Sequence, residues 1–202
     1  MKNRRIISVL IDGLIYQNPL LVKMLSLSVA VLACASLKDA FIVGFCTLIA
    51  LVLSSVTVSA IKNVLTEATK TLSCLFIITG YVSVICVIVK ACFPNVDADV
   101  GYYLPFIAAS GLCLSFCAGF AVKNSISSVA FGALSSGLGY MAALVVSAFV
   151  RELFGRGELF GISLFDGGIT FLATPAGGFI CFAFLAAAVS YISNRRRDNN
   201  DN

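Results

Sequence analysis

This sequence of 202 residues contains no tryptophan and no histidine, and only 12% of its residues are charged. Hydrophobic residues make up 59% of the chain, and its mean hydropathy is +1.00. A soluble domain of this size does not need so much apolar surface. The shortage of charge therefore excludes an ordinary soluble globular protein and indicates a membrane protein.

Ionisable residues are also scarce away from the ends of the apolar runs. A charged side chain in the middle of a bilayer is costly, so such a residue is usually functional. Lys23, Lys90, Arg151 and Glu152 all lie near predicted span ends, where a long side chain can extend to the membrane surface. This distribution argues against a proton relay or a carboxylate-based pump formed by this chain alone.

Six apolar runs are close to the 17–25 residues that cross a hydrocarbon core of about 30 Å. The predicted spans are Leu20–Leu37, Ala40–Ile61, Leu72–Phe93, Tyr102–Val122, Val129–Val150 and Ile169–Ile192. Lys23 and three serines dilute the first span, and the fourth contains Pro105 and Gly111, so we predict that both helices are interrupted. The loops are too short for a separate aqueous domain, and residues 18–193 therefore form one all-α membrane domain.

Two charged segments flank this domain. Residues 1–17 carry apolar side chains at helical spacing, which predicts an amphipathic helix on the cytoplasmic membrane surface. Residues 194–202 form a charged cytoplasmic tail. Nine Lys and Arg residues fall on the side of both termini and four on the other side, which predicts cytoplasmic termini. The net charge of +4 thus reflects topology, and nothing indicates nucleic-acid binding.

Eight cysteines fall almost entirely within the predicted spans. A buried cysteine behaves as a small hydrophobic residue, so packing is the simplest interpretation. Cys113 and Cys117 lie one helical turn apart and share a face, and Cys34 could approach them. Such a pair is a weak metal signal, because no matched ligand spacing occurs elsewhere.

Seven motifs follow one another along the chain in a characteristic order. They are Asn18-Pro19, AIKNVLTEATK after the second span, KACFPNVDADVGYYLPFI between the third and fourth, FAVKNS at 120–125, SGLGY at 136–140, VRELFGRGELFG at 150–161 and TPAGGF at 174–179. In order and spacing they resemble the membrane subunit family shared by Rnf and Na⁺-translocating NADH:quinone oxidoreductase (Nqr) complexes. Within that family the resemblance is to the Rnf E and Nqr D types.

This resemblance implies two inverted three-helix repeats in the cytoplasmic membrane of a bacterium or archaeon. It also implies a homologous six-helix sister subunit of the Rnf A or Nqr E type, together with other complex subunits. Such complexes couple redox chemistry between ferredoxin or NADH and an acceptor to movement of Na⁺ or H⁺. Flavins belong to other subunits, so this chain would not be catalytic alone.

In that family the first and fourth helices each contribute a cysteine to a [2Fe–2S] cluster shared with the sister subunit. Here the two ligand positions fall on Ser28 and Gly111. Cys34 and Cys113, the nearest thiols, lie six and two residues away. Because each helical residue turns by about 100°, a shift of two residues points a side chain elsewhere.

Three explanations remain open. The chain is a scaffold paralogue that has lost the cluster, it rebuilds the cluster with Cys34 and Cys113 or Cys117, or it has been repurposed. A different class of function, a six-helix component of a vitamin-type uptake system, fits the length and span count but leaves the order of the motifs unexplained.

The remaining family motif residues have a structural interpretation. Gly137 and Gly139 are small residues that let helices approach closely. Arg151 and Glu152 would anchor a helix end at the membrane interface and pair locally, with contact to the translocated ion as the alternative. Gly155, Gly157 and Gly161 would allow tight turns.

Overall fold

The computed structural model describes residues 19–66, 69–92, 98–159, 162–163 and 168–200. The predicted amphipathic segment, Asn18 and Gly161 lie outside these residues. The described chain is mostly helical. Its helices are α1 (Leu27–Ala33), α2 (Leu37–Ile61), α3 (Lys70–Cys92), α4 (Ala98–Tyr103), α5 (Gly111–Phe116), α6 (Ile126–Arg151), α7 (Thr170–Ala173) and α8 (Pro175–Asn200).

Short irregular elements connect these helices. A 3₁₀ turn, Leu104–Ile107, lies between α4 and α5, and π-helical turns follow α5 at Cys117–Ala121 and α6 at Glu152–Arg156. The strands β1 (Glu158–Leu159) and β2 (Ile162–Ser163) form a small antiparallel hairpin. The helix α8 continues to Asn200, so it extends through most of the predicted tail.

Four helical segments of the described chain are long and apolar enough to cross a membrane, which makes this a multi-pass membrane protein. They are Leu37–Ile61, Lys70–Ala91, Gly101–Ala121 and Ile126–Arg156, and Pro175–Tyr191 is a shorter apolar helix. These four correspond to the second to fifth predicted spans. The first predicted span contains only the seven-residue α1, so six full-length spans are not present in the described residues.

The first and fourth predicted spans are interrupted. Ahead of α1 the chain turns between Pro19, whose carbonyl accepts a hydrogen bond from the Leu25 amide at 2.9 Å, and Ser26, which has a left-handed backbone with φ 61°. In the fourth span, the extended residue Ser110 separates the 3₁₀ turn from α5. Both breaks expose helix ends that need hydrogen-bond partners.

The sixth predicted span is also broken, a feature that the sequence analysis did not predict. Thr174 is extended, with ψ 158°, because the residue before a proline is disfavoured in helical geometry. The Thr174 hydroxyl accepts a hydrogen bond from the Gly177 amide at 3.3 Å. Thr174 therefore caps α8, and Pro175 takes the first helical position, where its missing N–H costs nothing.

The centre of the fold is the close crossing of α2 and α6. A Cβ atom placed on Gly44 would lie 3.0 Å from Met141 Cγ, and one on Gly137 would lie 3.1 Å from Leu48 Cγ. Glycine at both points lets the two helices approach, as predicted for Gly137. Gly139 is also buried. By contrast, the helix α3 is mostly exposed, since only 22% of its most apolar stretch of 18 residues is buried.

This crossing generates a test of packing. We expect Gly137→Val to destabilise the protein by about 1–3 kcal/mol, because the added methyl groups meet the Leu48 backbone and side chain. The matched control is Gly80→Val on α3, where an added Cβ meets nothing within 4 Å. Thermal unfolding in detergent measures both variants. Equal unfolding temperatures for the two would contradict the close crossing.

Candidate functional site at the broken helices

Arg151, the last residue of α6, is only 2% exposed. Its guanidinium donates hydrogen bonds to four backbone carbonyls. Nη1 reaches Val31 O at 2.7 Å, Nε reaches Leu172 O at 3.1 Å, and Nη2 reaches Ala173 O at 3.2 Å and Thr174 O at 3.1 Å. One side chain thus joins three separate parts of the chain.

The acceptor carbonyls belong to the ends of two broken helices. Val31 lies in the last turn of α1, and Leu172 and Ala173 are the last residues of α7. Carbonyls in a last helical turn have no partner within their own helix, and a cation is favoured there. Arg151 therefore satisfies the ends of α1 and α7 together.

Arg151 and Glu152, which were predicted to anchor a helix end at the membrane interface and pair locally, also bond to distant parts of the chain. Lys23 and Lys90 are exposed, but Arg151 and Glu152 are both buried. Hydrogen bonds from Arg151 span 21 to 120 residues of sequence. The hydropathy pattern placed this pair at a span end, but the breaks in neighbouring helices create backbone acceptors for Arg151 inside the protein.

Glycines make room for the guanidinium. A Cβ atom on Gly178 of α8 would lie 3.1 Å from both Cζ and Nη1 of Arg151. A Cβ atom on Gly155 would lie 3.0 Å from the Ala173 nitrogen. Gly157 has φ 70° and ends the π-helical turn, a left-handed backbone that glycine adopts without strain.

Glu152 binds the N-terminal end of a helix, whereas Arg151 binds C-terminal ends. Its Oε2 atom accepts a hydrogen bond of 2.7 Å from the backbone amide of Leu37, the first residue of α2. Amide groups in a first helical turn lack intrahelical partners, and a carboxylate is favoured beside them. Adjacent residues of α6 and the turn that follows it therefore hold the end of α1 and the beginning of α2 on either side of one break.

The beginnings of α1 and α5 meet in a second junction. The Ser26 hydroxyl accepts a hydrogen bond of 3.0 Å from the Leu112 amide in the first turn of α5. The left-handed backbone of Ser26 is uncommon for a residue other than glycine. A Cβ atom on Gly111 would be 3.7 Å from Leu25 Cδ2, so the two helix starts pack side by side.

Ser28 and Gly111, the positions that the family resemblance assigns to cluster ligands, lie close to this junction in sequence. Ser28 follows Ser26 by two residues, and Gly111 immediately precedes Leu112. Both positions are exposed. Neither residue supplies a thiolate, which is the usual ligand for an iron–sulfur cluster.

The three candidate thiols face the interior of the protein. Cys34 donates to the Leu144 carbonyl at 3.3 Å, and Cys117 donates to the Ser54 hydroxyl at 3.6 Å. Cys113 is fully buried one turn before Cys117. Within the described part of the chain, no three His, Cys, Asp or Glu side chains gather as metal ligands. Metal binding by these thiols stays a prediction.

Three residues at these junctions were missed as site residues. Thr174 carries a recognisable signal, because a threonine before a proline is a common helix start. Gly178 appeared only within the family motif TPAGGF, and its contact with Arg151 depends on tertiary packing. Ser26 has no sequence signal, since serine rarely adopts a left-handed backbone.

Known proteins resemble this chain over most of its length. A family model described as "Rnf-Nqr subunit, membrane protein" matches residues 6–186. The E subunit of the proton-translocating ferredoxin:NAD(+) oxidoreductase complex of Clostridium ljungdahlii is 31% identical over 88% of this chain and 84% of its own length. The Na(+)-translocating counterpart of Acetobacterium woodii is 27% identical, with 89% and 93% covered.

A third relative has a more general name. The E subunit of the ion-translocating oxidoreductase complex of Vibrio cholerae is 28% identical over 93% of this chain and 89% of its own length. None of these three names describes a vitamin-type transporter. The similarities therefore favour the electron-transport hypothesis over the transporter hypothesis.

The hydrogen bonds of the Arg151 guanidinium can be tested by a measurement of stability. We expect Arg151→Lys to lower the free energy of unfolding by at least about 2 kcal/mol, because an ammonium group cannot reproduce the planar fork that reaches four carbonyls. Arg156→Lys is the control, since Arg156 is exposed and near-neutral substitution is expected there. Unfolding in a series of mixed detergents measures the free energy of unfolding of both variants. An Arg151→Lys variant as stable as Arg156→Lys would show that the junction does not require the guanidinium.

Proposed function

This chain belongs to the Rnf-Nqr family of membrane subunits, and we propose that it is the E-type component of an ion-translocating electron transport complex. The proposal rests on similarity that extends over nearly the whole chain to proteins named as E subunits of such complexes. In such a complex the chain is a membrane framework that holds partner subunits. Soluble substrates and flavins bind elsewhere.

The proposed complex exchanges electrons between ferredoxin or NADH and an acceptor and moves H⁺ or Na⁺. The names of two similarly matched relatives differ in this ion, since one is proton-translocating and the other Na⁺-translocating. Both termini of this chain are proposed to be cytoplasmic, because that orientation places most short-loop Lys and Arg residues inside. A direct measurement of ion uptake identifies the ion.

An inverted-repeat architecture forms part of the proposal. Gly44 packs on Met141 and Gly137 packs on Leu48, and the two glycines are 93 residues apart, as are Leu48 and Met141. The same spacing separates the carbonyl acceptors of Val31 and Asn124, which bind Arg151 and Ser59 respectively. Reciprocal contacts of this kind support two related halves packed about α2 and α6.

The sister subunit is proposed to dock where α1 and α5 begin. Ser28 and Gly111 are exposed here, next to the junction at which the Ser26 hydroxyl accepts the Leu112 amide. The family resemblance assigns these two positions to ligands of a shared cluster. An exposed glycine on a membrane face lets a partner backbone approach closely.

We further infer that this chain contributes no ligand to an iron–sulfur cluster and retains only the structural role of a membrane scaffold. Ser28 and Gly111 do not supply the thiolate ligands that iron requires. The Cys34 and Cys117 thiols donate hydrogen bonds to oxygen atoms in the protein interior. This supports the scaffold explanation over a rebuilt cluster. Any path for electrons at this junction then depends on the sister subunit or on other subunits.

A complementation experiment tests the proposed function. A strain that lacks this chain should lose ion uptake driven by reduced ferredoxin and NAD⁺ in membrane vesicles, and the wild-type chain should restore it. Gly111→Leu should fold but fail to restore uptake or copurify with the sister subunit, because the new side chain projects into the docking face. Gly80→Leu, on the exposed face of α3, should complement fully.

Normal uptake without the chain would refute a role in the complex. Full complementation by Gly111→Leu would leave that role intact and refute only the proposed docking face. The unfolding temperature of each purified variant separates a docking defect from a folding defect.

The inference that this chain is a scaffold without a cluster makes a separate prediction about iron content. In the chain copurified with its sister subunit, Cys34→Ala and Cys113→Ala should leave iron, acid-labile sulfide and any low-temperature EPR signal unchanged. Cys46→Ala is the matched control, because Cys46 is also buried but was not a candidate ligand. A [2Fe–2S] signal that is lost in either candidate variant and kept in the control would establish a rebuilt cluster.

A further inference from the structure

An apolar groove lies on the outside of the membrane domain, where α6, α7 and α8 meet. Its volume is about 520 Å³, within the range of about 300–1,000 Å³ that is typical of small-molecule sites. Phe171 and Phe184, which line it, are 52% and 74% exposed, so the groove opens toward lipid. The lining residues of α8 are Gly177, Ile180, Cys181, Phe184, Leu185 and Ala188.

The groove has the length of one lipid leaflet. Ala188 follows Gly177 by eleven residues, which is a rise of about 16 Å along the helix. Half of a hydrocarbon core of about 30 Å is about 15 Å. One end lies at the level of Gly178, where an added Cβ atom would be 3.1 Å from the Arg151 guanidinium. That level is close to the end of the membrane-spanning segment at Arg156, so the groove runs from the membrane edge to about the membrane centre.

These dimensions and this lining fit a hydrocarbon chain. The nine lining residues have no charged or hydroxyl side chain, so a bound ion or water would lack partners. A partner helix about 10 Å across would need about 1,300 Å³ over the same length, more than twice the volume of the groove. Such a helix can cover the groove but cannot enter it. An extended acyl chain is thinner, and its contacts supply the dispersion attraction that an empty groove forfeits.

A cation lies at the membrane-surface end of the groove. Gly155 packs on α7, since an added Cβ atom would be 3.0 Å from the Ala173 nitrogen and 3.3 Å from the carbonyl carbon of the groove residue Leu172. Arg156 follows Gly155 directly, is exposed, and ends the membrane-spanning segment. Arg151 is already bound to backbone carbonyls, so Arg156 is the guanidinium that can reach a headgroup. Arginine binds phosphate through two parallel hydrogen bonds.

We propose that this groove is a binding site for an anionic phospholipid of the same leaflet. One acyl chain lies along α8, and the phosphate pairs with the Arg156 side chain. A net negative headgroup is favoured over a zwitterionic one, because the ammonium group of the latter is repelled by the same guanidinium. The site is formed by this chain alone, so it stands or falls independently of the proposed function.

Photo-crosslinking tests the site in the assembled protein. Phe184→benzoylphenylalanine places a group that reacts with nearby C–H bonds in the groove. The full chain, with the subunits that copurify, is placed in nanodiscs of equal amounts of phosphatidylglycerol and phosphatidylcholine with identical acyl chains, and mass spectrometry identifies the adducts. We expect phosphatidylglycerol adducts to exceed phosphatidylcholine adducts about fivefold. Leu138→benzoylphenylalanine, at an exposed position in the middle of α6, should give a ratio near one.

Three further variants separate the charge from the groove. Arg156→Gln should bring the ratio at position 184 to about one, because the cation is lost while the groove remains. Ala188→Phe should also lower the ratio, since the ring fills the inner end of the groove. Ala183→Phe, at a position of α8 outside the groove, should leave it unchanged. Both alanines are exposed, so neither substitution disturbs the core.

Each of three results would overturn the proposal. A ratio near one at position 184 would show that the groove holds bulk lipid without selection. Adducts to another polypeptide in place of lipid would show that a subunit covers the groove. A fivefold ratio that persists in Arg156→Gln would show that this side chain does not recognise the headgroup.

Discussion

Every backbone group at a broken helix end must find a partner inside the protein, because a bilayer supplies none. This constraint explains the most specific contacts of the fold. Arg151 satisfies four carbonyls at the ends of α1 and α7. Glu152 satisfies the first amide of α2, and Ser26 satisfies an amide of α5. Broken helices are stable here because distant side chains complete them.

The two ends of the α2 and α6 pair are held differently. At one end, Ser59 and Lys62 donate to the single carbonyl of Asn124 at 3.1 and 2.8 Å. At the other end, Arg151 and Glu152 bind five backbone groups. The second end therefore fixes more of the chain, including α7 and the start of α8. Gly178 matters there, since even a Cβ atom at this position would crowd the guanidinium at 3.1 Å.

Sequence patterns predicted the parts of this fold that depend on local composition. Hydropathy identified α2, α3, α6 and the segment ending at Ala121, and Lys23, the serines and Pro105 pointed to the interrupted first and fourth spans. The break at Thr174 was missed although Pro175 signals it. Burial of Arg151 could not be predicted, because its acceptors arise only when three separate segments meet. Motif order selected the right residues there, but not their partners.

The framework and the cluster positions are physically separable. Arg151, Glu152 and Ser26 each complete a helix end, so replacing them leaves backbone groups unsatisfied and destabilises the fold. Ser28 and Gly111 are exposed, and substitutions at exposed positions usually change stability little. Residues 28 and 111 can therefore change while the fold that the junctions hold is retained, as the proposed scaffold role requires. Stability therefore constrains the junction residues more strongly than it constrains Ser28 and Gly111.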